Sequence, residues 1–360
     1  MSARADALVS ERPGVEFELP TGSDATEPPE QRGAGRDDVR LLVARAGGFP
    51  VVRHGRFRDL PQELEAGDLL VVNTSGTLPA AVDGLLPDGS SVVVHVSTDL
   101  EDGTWIVEVR RLDGRGPRRD LGPGTRLHLP GGQWLTLDEA YPDPGTAAPR
   151  LWRSHPAEPG PSAPYLLRHG RPIRYAYLAR PQPLTAYQTV YAGAPGSAEM
   201  ASAGRPFTDR LLTRLITCGV TIAPLTLHAG VSSLEAKEPP LQERYDVPFH
   251  TARLVNSARA AGRRIVAVGT TVVRALETVA DPDGIVQPGS GWTGLVLGPH
   301  RSARAVSGLI SGLHAPGASH LQLLEAVAGR SLVEAAYVSA VGERYRWHEF
   351  GDSTLFLPER

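Results

Sequence analysis

Apolar and polar positions follow two different rhythms along this chain. From about Gly67 to Arg174, short β-branched and aromatic runs are separated by glycine- and proline-containing turns. Ser91-Val92-Val93-Val94-His95-Val96 and Thr104-Trp105-Ile106-Val107-Glu108-Val109 flank Asp102-Gly103, which predicts an antiparallel hairpin. Arg126-Leu127-His128-Leu129 and Gln133-Trp134-Leu135-Thr136-Leu137 flank Pro130-Gly131-Gly132 in the same manner. Short strands at this spacing predict a small barrel or sandwich.

After Tyr187 the period lengthens. Thr208 caps a predicted helix carrying Leu211, Leu212, Leu215 and Ile216, and Gly219 ends it. Val220 to His228 reads as a strand, and Thr251 to Ala261 as a helix stopped by Gly262. Arg264-Ile265-Val266-Ala267-Val268 is a buried-strand run that meets Gly269-Thr270-Thr271 and a helix through about Ala280. Ser331 and Glu334 have capping-box spacing and open a helix to about Tyr345. Strands alternating with helices call for a parallel sheet. The expected fold class is therefore α/β: a parallel-sheet α/β domain over 1–66 and 175–360, with an inserted small antiparallel β-barrel domain over 67–174.

Composition adds limits. A chain of 360 residues exceeds one ordinary core, which agrees with two domains. A formal charge of -3 gives no bulk attraction for a polyanion, so nucleic-acid binding needs a local basic groove; Arg115, Arg118 and Arg119 are the best local candidates. The single cysteine, Cys218, excludes an intrachain disulfide and a cysteine metal cage, and reads as a packed thiol at the end of an apolar helix face. Arg4, Asp6, Glu11, Arg12 and Glu16 interrupt any signal-peptide core, and no run approaches the roughly 20 apolar residues of a membrane span. A cytoplasmic protein without membrane contact is expected.

The strongest chemical signal is Val268-Gly269-Thr270-Thr271-Val272-Val273-Arg274-Ala275-Leu276-Glu277. A buried strand ending in glycine, two hydroxyls and a helix start place unpaired N–H groups at the carboxyl edge of the sheet, where ligands bind in open α/β folds. Arg274 and Glu277 share a helix face, either at that site or as a surface ion pair. His228 ends the preceding strand, as an acid or base or as a satisfied structural imidazole. Tyr187-Gln188-Thr189-Val190-Tyr191-Ala192, before Pro195-Gly196-Ser197, suits stacking and hydrogen bonding to a nucleobase, or a half-buried strand. His314 follows another strand-to-loop transition. Gly289-Ser290-Gly291-Trp292-Thr293-Gly294 has dinucleotide-fingerprint spacing but fails on context, since Leu295-Val296-Leu297 after it reads as a strand.

Together these segments resemble the S-adenosylmethionine:tRNA ribosyltransferase-isomerases of queuosine biosynthesis. The likeness runs through Phe17-Glu18-Leu19-Pro20, Phe57-Arg58-Asp59-Leu60-Pro61, Gly67-Asp68-Leu69-Leu70-Val71-Val72-Asn73, Tyr187–Ala192, Leu225–Gly230, Val268–Glu277, Gly291-Trp292-Thr293, His314 and Gly351-Asp352. It implies an α/β domain with an inserted barrel. It also implies S-adenosylmethionine as ribosyl donor, an aminomethyl-deazaguanine base in a tRNA anticodon as acceptor, and no metal. On this reading His228, Arg274 and Glu277 are catalytic candidates. Tyr187, Gln188, Thr189, Tyr191, Gly269, Thr270, Thr271 and His314 are candidates for substrate binding.

The chain departs from the family pattern in polar positions. Thr74-Ser75-Gly76 stands where the family runs Asp-Thr-Arg, Ala203-Gly204-Arg205-Pro206-Phe207 where it runs Ala-Gly-Leu-His-Phe, and Glu238–Glu243 where it has a histidine-rich run. Those losses leave two other readings open: a divergent paralogue passing S-adenosylmethionine or a related nucleoside to a small-molecule acceptor, and a non-catalytic nucleoside-binding protein.

Overall fold

Runs of four or five apolar residues bounded by glycine or charge become the central strands of the fold. The computed structural model describes residues 15–112, 116–232 and 240–359. In chain order, β1 (Arg40–Arg45), β2 (Val51–Arg56), β3 (Leu69–Asn73) and β4 (Ser75–Thr77) come first. Then follow β5 (Ala81–Leu85), β6 (Ser91–Asp99), β7 (Trp105–Arg111), β8 (Arg126–His128), β9 (Trp134–Tyr141) and β10 (Leu151–Pro156). Helix α1 (Ala163–His169), β11 (Ala194–Ser197), α2 (Asp209–Thr217), β12 (Thr221–His228), β13 (Glu243–Val247) and α3 (Phe249–Ala260) continue the chain. It closes with β14 (Ile265–Val268), α4 (Thr270–Val279), β15 (Gly289–Thr293), β16 (Gly308–Gly312), α5 (Ser319–Ala328), α6 (Arg330–Gly342) and β17 (Ser353–Leu357).

The larger unit contains the described residues of Met1–Asn73, Ser202–Thr226 and Ser233–Arg360. Its sheet has the order β15-β13-β12-β3-β14-β16-β17-β1-β2. Strands β12, β3, β14 and β16 run parallel, with Leu225 opposite Asn73, Ala267 opposite Val71 and Val268 opposite Ile310. β3 and β14 are buried along their whole length, which is why they read as continuous apolar runs rather than alternating ones. The edge strand β2 is mostly exposed and carries Arg53, His54 and Arg56, a composition that discourages further strand addition. Buried Asp68 accepts from Arg264 Nε at 3.0 Å, tying the start of β3 to that of β14.

The predicted helices form. Thr208 caps α2 by accepting from Leu211 N at 3.1 Å, and Gly219 behind it takes φ +87°. The cap of α6 is Gly329, at φ +78°, rather than Ser331, which lies inside the first turn because α5 and α6 join through that single glycine.

The smaller unit holds Thr74–Ala201 and Leu227–Ser232. Its six strands β10-β7-β6-β5-β8-β9 close into an antiparallel barrel, and both predicted hairpins are present as β6–β7 and β8–β9. Val82, Val94, Val107, Val109, Leu127, Leu135 and Leu137 are buried on the inner faces of its strands. On the opposite face of β7, buried Glu108 meets Arg150 at 3.0 Å, Arg110 at 2.8 Å and His95 at 3.6 Å. Burial alone would raise its pKa, but these three partners outweigh it and hold the carboxyl at about 2.

Several expectations change. Of the segment 67–73, expected in the barrel domain, Leu69–Asn73 forms β3 of the large sheet, and 175–201, expected in the α/β domain, belong to the smaller unit. Gly289–Thr293 is itself a strand and 295–297 is not, so the fingerprint-like spacing belongs to an edge ribbon paired antiparallel with β13. Cys218 is exposed: α2 ends at Thr217, and Cys218 is its C-cap, beyond the turns that bury Leu211 and Leu215. Arg115, Glu238 and Pro239 lie outside the described residues. Arg118 pairs with Asp120, and Arg119 donates to Ala148 O. No helix among the described residues is long and apolar enough to cross a membrane.

Glu108→Ala leaves the Arg150 guanidinium, 3% exposed, without its buried counter-charge. Urea unfolding of this variant should show a loss of about 3–5 kcal/mol. In the wild type, the contribution of Glu108 is complete above its ordinary value of 4.5 and fades as pH falls toward about 2.

Candidate functional site

In the larger unit, several of the candidate residues collect at the carboxyl ends of β3, β14 and β16. Gly269 turns out of β14 at φ +92°, a conformation that costs a side chain strain, and its N–H is held by Ile310 O at 2.8 Å. A Cβ there would also sit 3.4 Å from the Cβ of Ala203. Thr270 and Thr271 begin α4, and Thr271 Oγ1 accepts from Asn73 Nδ2 at 3.2 Å. Asn73, at the end of β3, closes the Gly67–Asn73 segment of the family likeness but is not among the site candidates read from sequence.

Arg274 and Glu277 do not pair with each other; both are buried and bound elsewhere. The Arg274 guanidinium donates to Leu295 O at 3.1 Å, Leu241 O at 3.0 Å and Thr293 O at 3.1 Å, and it also meets the Glu243 carboxylate. It thus clamps β13 and β15 to the first turns of α4. The Glu277 carboxylate accepts from the backbone N–H groups of Arg304 and Ala305 at 2.9 Å and Val306 at 3.1 Å. That arrangement fixes the turn leading into β16.

Beyond the end of β16, His314 Nε2 lies 3.0 Å from Ser311 Oγ, and its ring stacks on His320 with centroids 4.5 Å apart. Burial pushes both imidazoles down, His314 well below its ordinary value and His320 to about 4, with the positive charge of the second histidine or of Arg274 acting the same way. His320 was missed because a lone histidine in a first helical turn has no sequence signature. Nearby, His348, at φ +70°, and Glu349 line a cavity of about 10 Å³ with Ser202, Gly312 and Asp352. Burial lifts the Glu349 carboxyl to about 7. No group of three metal-ligating side chains occurs among the described residues.

In the smaller unit, His228 Nδ1 lies 2.8 Å from Ser75 Oγ, which in turn lies 2.6 Å from Ser197 Oγ. Gly196 passes so close to the His228 ring that a Cβ would fall 2.4 Å from Nδ1. Gln188 pairs with both backbone groups of Thr77, its Oε1 accepting at 3.0 Å and its Nε2 donating at 2.7 Å. Thr77 Oγ1 donates to Tyr187 O at 3.2 Å. Tyr187 and Thr189 are buried, and burial pushes the Tyr187 phenol up to about 12 and that of Tyr191 up as well. The motif is a short loop braced on β4 rather than the strand offered as one reading.

An open sheet whose parallel strands end in a glycine turn, two hydroxyls and a helix start, with a closed barrel inserted in the chain, defines an α/β protein with a β-barrel insert. The comparisons narrow that class. The family model described as queuosine biosynthesis protein matches residues 14–356. The S-adenosylmethionine:tRNA ribosyltransferase-isomerase of Moorella thermoacetica is 38% identical over 351 residues, covering 95% of this chain and 98% of that protein. The enzyme of the same name from Thermus thermophilus is 36% identical over 357 residues, with the same coverage. The crystal structure of S-adenosylmethionine tRNA ribosyltransferase from Thermotoga maritima aligns with a TM-score of 0.52 at 29% identity, over 95% of this chain and 99% of that one. The chain belongs to the queuosine biosynthesis protein family.

Arg274→Ala would leave the Glu243 carboxylate and three carbonyls without their donor. We expect a stability loss of about 3–5 kcal/mol in chemical denaturation. Arg274→Lys should recover little of it, since an ammonium cannot reproduce the fork. The histidine pair gives a pH signature. Both folded-state values lie below the ordinary 6.5, so their contribution is present above 6.5 and is lost as pH falls toward about 4. His320→Asn should flatten that slope in a pH series of thermal melts.

Proposed function

We propose that this protein is an S-adenosylmethionine:tRNA ribosyltransferase-isomerase acting in queuosine biosynthesis. S-adenosylmethionine serves as ribosyl donor. The aminomethyl-deazaguanine base of a tRNA anticodon attacks, the ribosyl group is rearranged to an epoxycyclopentanediol, and adenine and methionine leave. The near full-length likeness to relatives that bear this name carries the reading, and it favours tRNA over a small-molecule acceptor. A tRNA substrate places the work in the cytoplasm.

The geometry supports a division of labour. The N–H groups that open α4, with Thr270 and Thr271, suit the carboxylate and hydroxyls of the donor. Tyr187, Thr189 and Tyr191 suit recognition of a base, on a loop that Gln188 braces against Thr77. His228, braced through Nδ1 by Ser75, suits proton transfer, because the sulfonium acidifies the adjacent C5′ hydrogens and a modest base suffices. His314 suits hydrogen bonding as a neutral imidazole, since its proton affinity is depressed. Arg274 and Glu277, saturated by backbone partners, suit positioning of the strand end rather than contact with substrate.

Incubation with precursor tRNA and S-adenosylmethionine should release adenine, followed by chromatography. His228→Ala should lower the turnover on the order of 10²-fold or more while leaving the folded state intact. Absence of adenine, under conditions where the Thermus relative works, would falsify the assignment.

A further inference from the structure

We propose that the outer face of the barrel, around Trp134, is a subsite for an unpaired nucleobase of the RNA substrate. This rests on the tRNA reading above and goes beyond it, because none of these residues belongs to the strand-end groups. The face follows from strand pairing. Leu85 in β5 stands opposite His128 in β8, and His128 stands opposite Trp134 in β9. Directly paired residues point to one side of a sheet. Their neighbours Leu127 and Leu135 are fully buried in the barrel, so this row points outward. Leu85 is 48% and Trp134 38% exposed, whereas Trp105, Trp152 and Trp347 are fully buried.

Arg126 lays its guanidinium 4.0 Å from the centre of the Trp134 ring. Beside this stack opens a groove of about 540 Å³, rimmed by His128 and walled by Leu85, Val92, Leu112, Leu129 and Pro130. That volume lies within the ~300–1,000 Å³ of small-ligand clefts. Asp83 also lines it, but its carboxylate is held by Arg171 at 2.6 Å.

Charge decides which occupant fits. An apolar protein partner would strip water from Arg126 without offering a counter-charge, an unfavourable exchange. A nucleotide supplies a flat ring for the indole and guanidinium planes and a phosphate for the cation at their edge. Aromatic platforms on small barrels bind single-stranded nucleic acid in this way without requiring a basic protein overall.

The test uses the full chain and the variants Trp134→Ala, Trp134→Phe and Arg126→Ala, all at exposed positions. Precursor tRNA is titrated by fluorescence anisotropy at fixed salt, with S-adenosylmethionine binding and adenine release measured in parallel. Trp134→Ala should weaken tRNA binding on the order of tenfold, the loss expected for one stacked base. Trp134→Phe should restore most of it, and Arg126→Ala should weaken it too. KM for tRNA should rise while kcat and donor affinity stay constant, and wild-type tryptophan fluorescence should be quenched by tRNA but not in Trp134→Phe. Unchanged tRNA affinity in both alanine variants overturns the subsite, and does so without touching the enzymatic reading if the wild type still releases adenine. Trp134-dependent tRNA binding with no adenine release does the reverse. A wild-type dimer that Trp134→Ala converts to monomers, with tRNA affinity unaltered, would identify a contact between two copies and overturn the subsite.

Discussion

Parallel pairing at β3 is the constraint from which the rest of the architecture follows. This strand has parallel neighbours on both sides, β12 and β14, and its five residues are all buried. Parallel neighbours cannot be joined by a tight turn, so every link must cross over, and the carboxyl ends of the strands collect at one edge. The register makes this specific. Val71 lies opposite Ala267, so two residues later Asn73 comes level with Gly269. The bond from Asn73 to Thr271 is thus a product of register as much as of side-chain choice. The chain leaves the larger unit just after Asn73, which is where a parallel strand must in any case begin a long excursion.

Buried charge is handled by saturation. Arg274 and Glu277 sit one turn apart in α4 and look like partners, yet each is bound by groups distant in sequence. A buried ion of either sign costs several kcal/mol to strip of water, and its partners must return most of that. Four acceptors around Arg274 and three amides around Glu277 do so. The two side chains thereby lock β13, β15 and the entry to β16 onto one helix. A strand-end group such as Thr271 keeps a precise position only if its helix cannot shift, so this saturation supports the ligand site proposed at the sheet edge.

Local pattern made much of this legible. The Asp102-Gly103 and Pro130-Gly131-Gly132 turns located the barrel hairpins, and Thr208, Gly219 and Gly269 located helix ends, because each depends on a few adjacent residues. What pattern could not supply was partnership across the chain. Leu69–Asn73 is as apolar as a barrel strand, and only its neighbours show that it belongs to the larger sheet. Cys218 continues the spacing of Leu211 and Leu215 but is the C-cap, one step past the last helical residue, and periodicity does not show where a helix ends. His320 and Glu349 acquire their shifted proton affinities from burial, which no local spacing reveals.

One polar position of the departing segment keeps its chemistry. Where the family runs Asp-Thr-Arg, Ser75 retains the middle hydroxyl, which sits between Ser197 and the ring of His228. A carboxylate at such a position would pin the histidine proton on Nδ1 and favour the charged ring. A hydroxyl both donates and accepts, so it tolerates either tautomer and adds no charge to stabilise the cation. Gly196 presses against the same imidazole and removes the room for it to swing. The ring is therefore fixed in place while its proton is not. For the proposed reaction, which begins with loss of a proton from C5′, a histidine that can take up a proton without disturbing its support is well matched to that step.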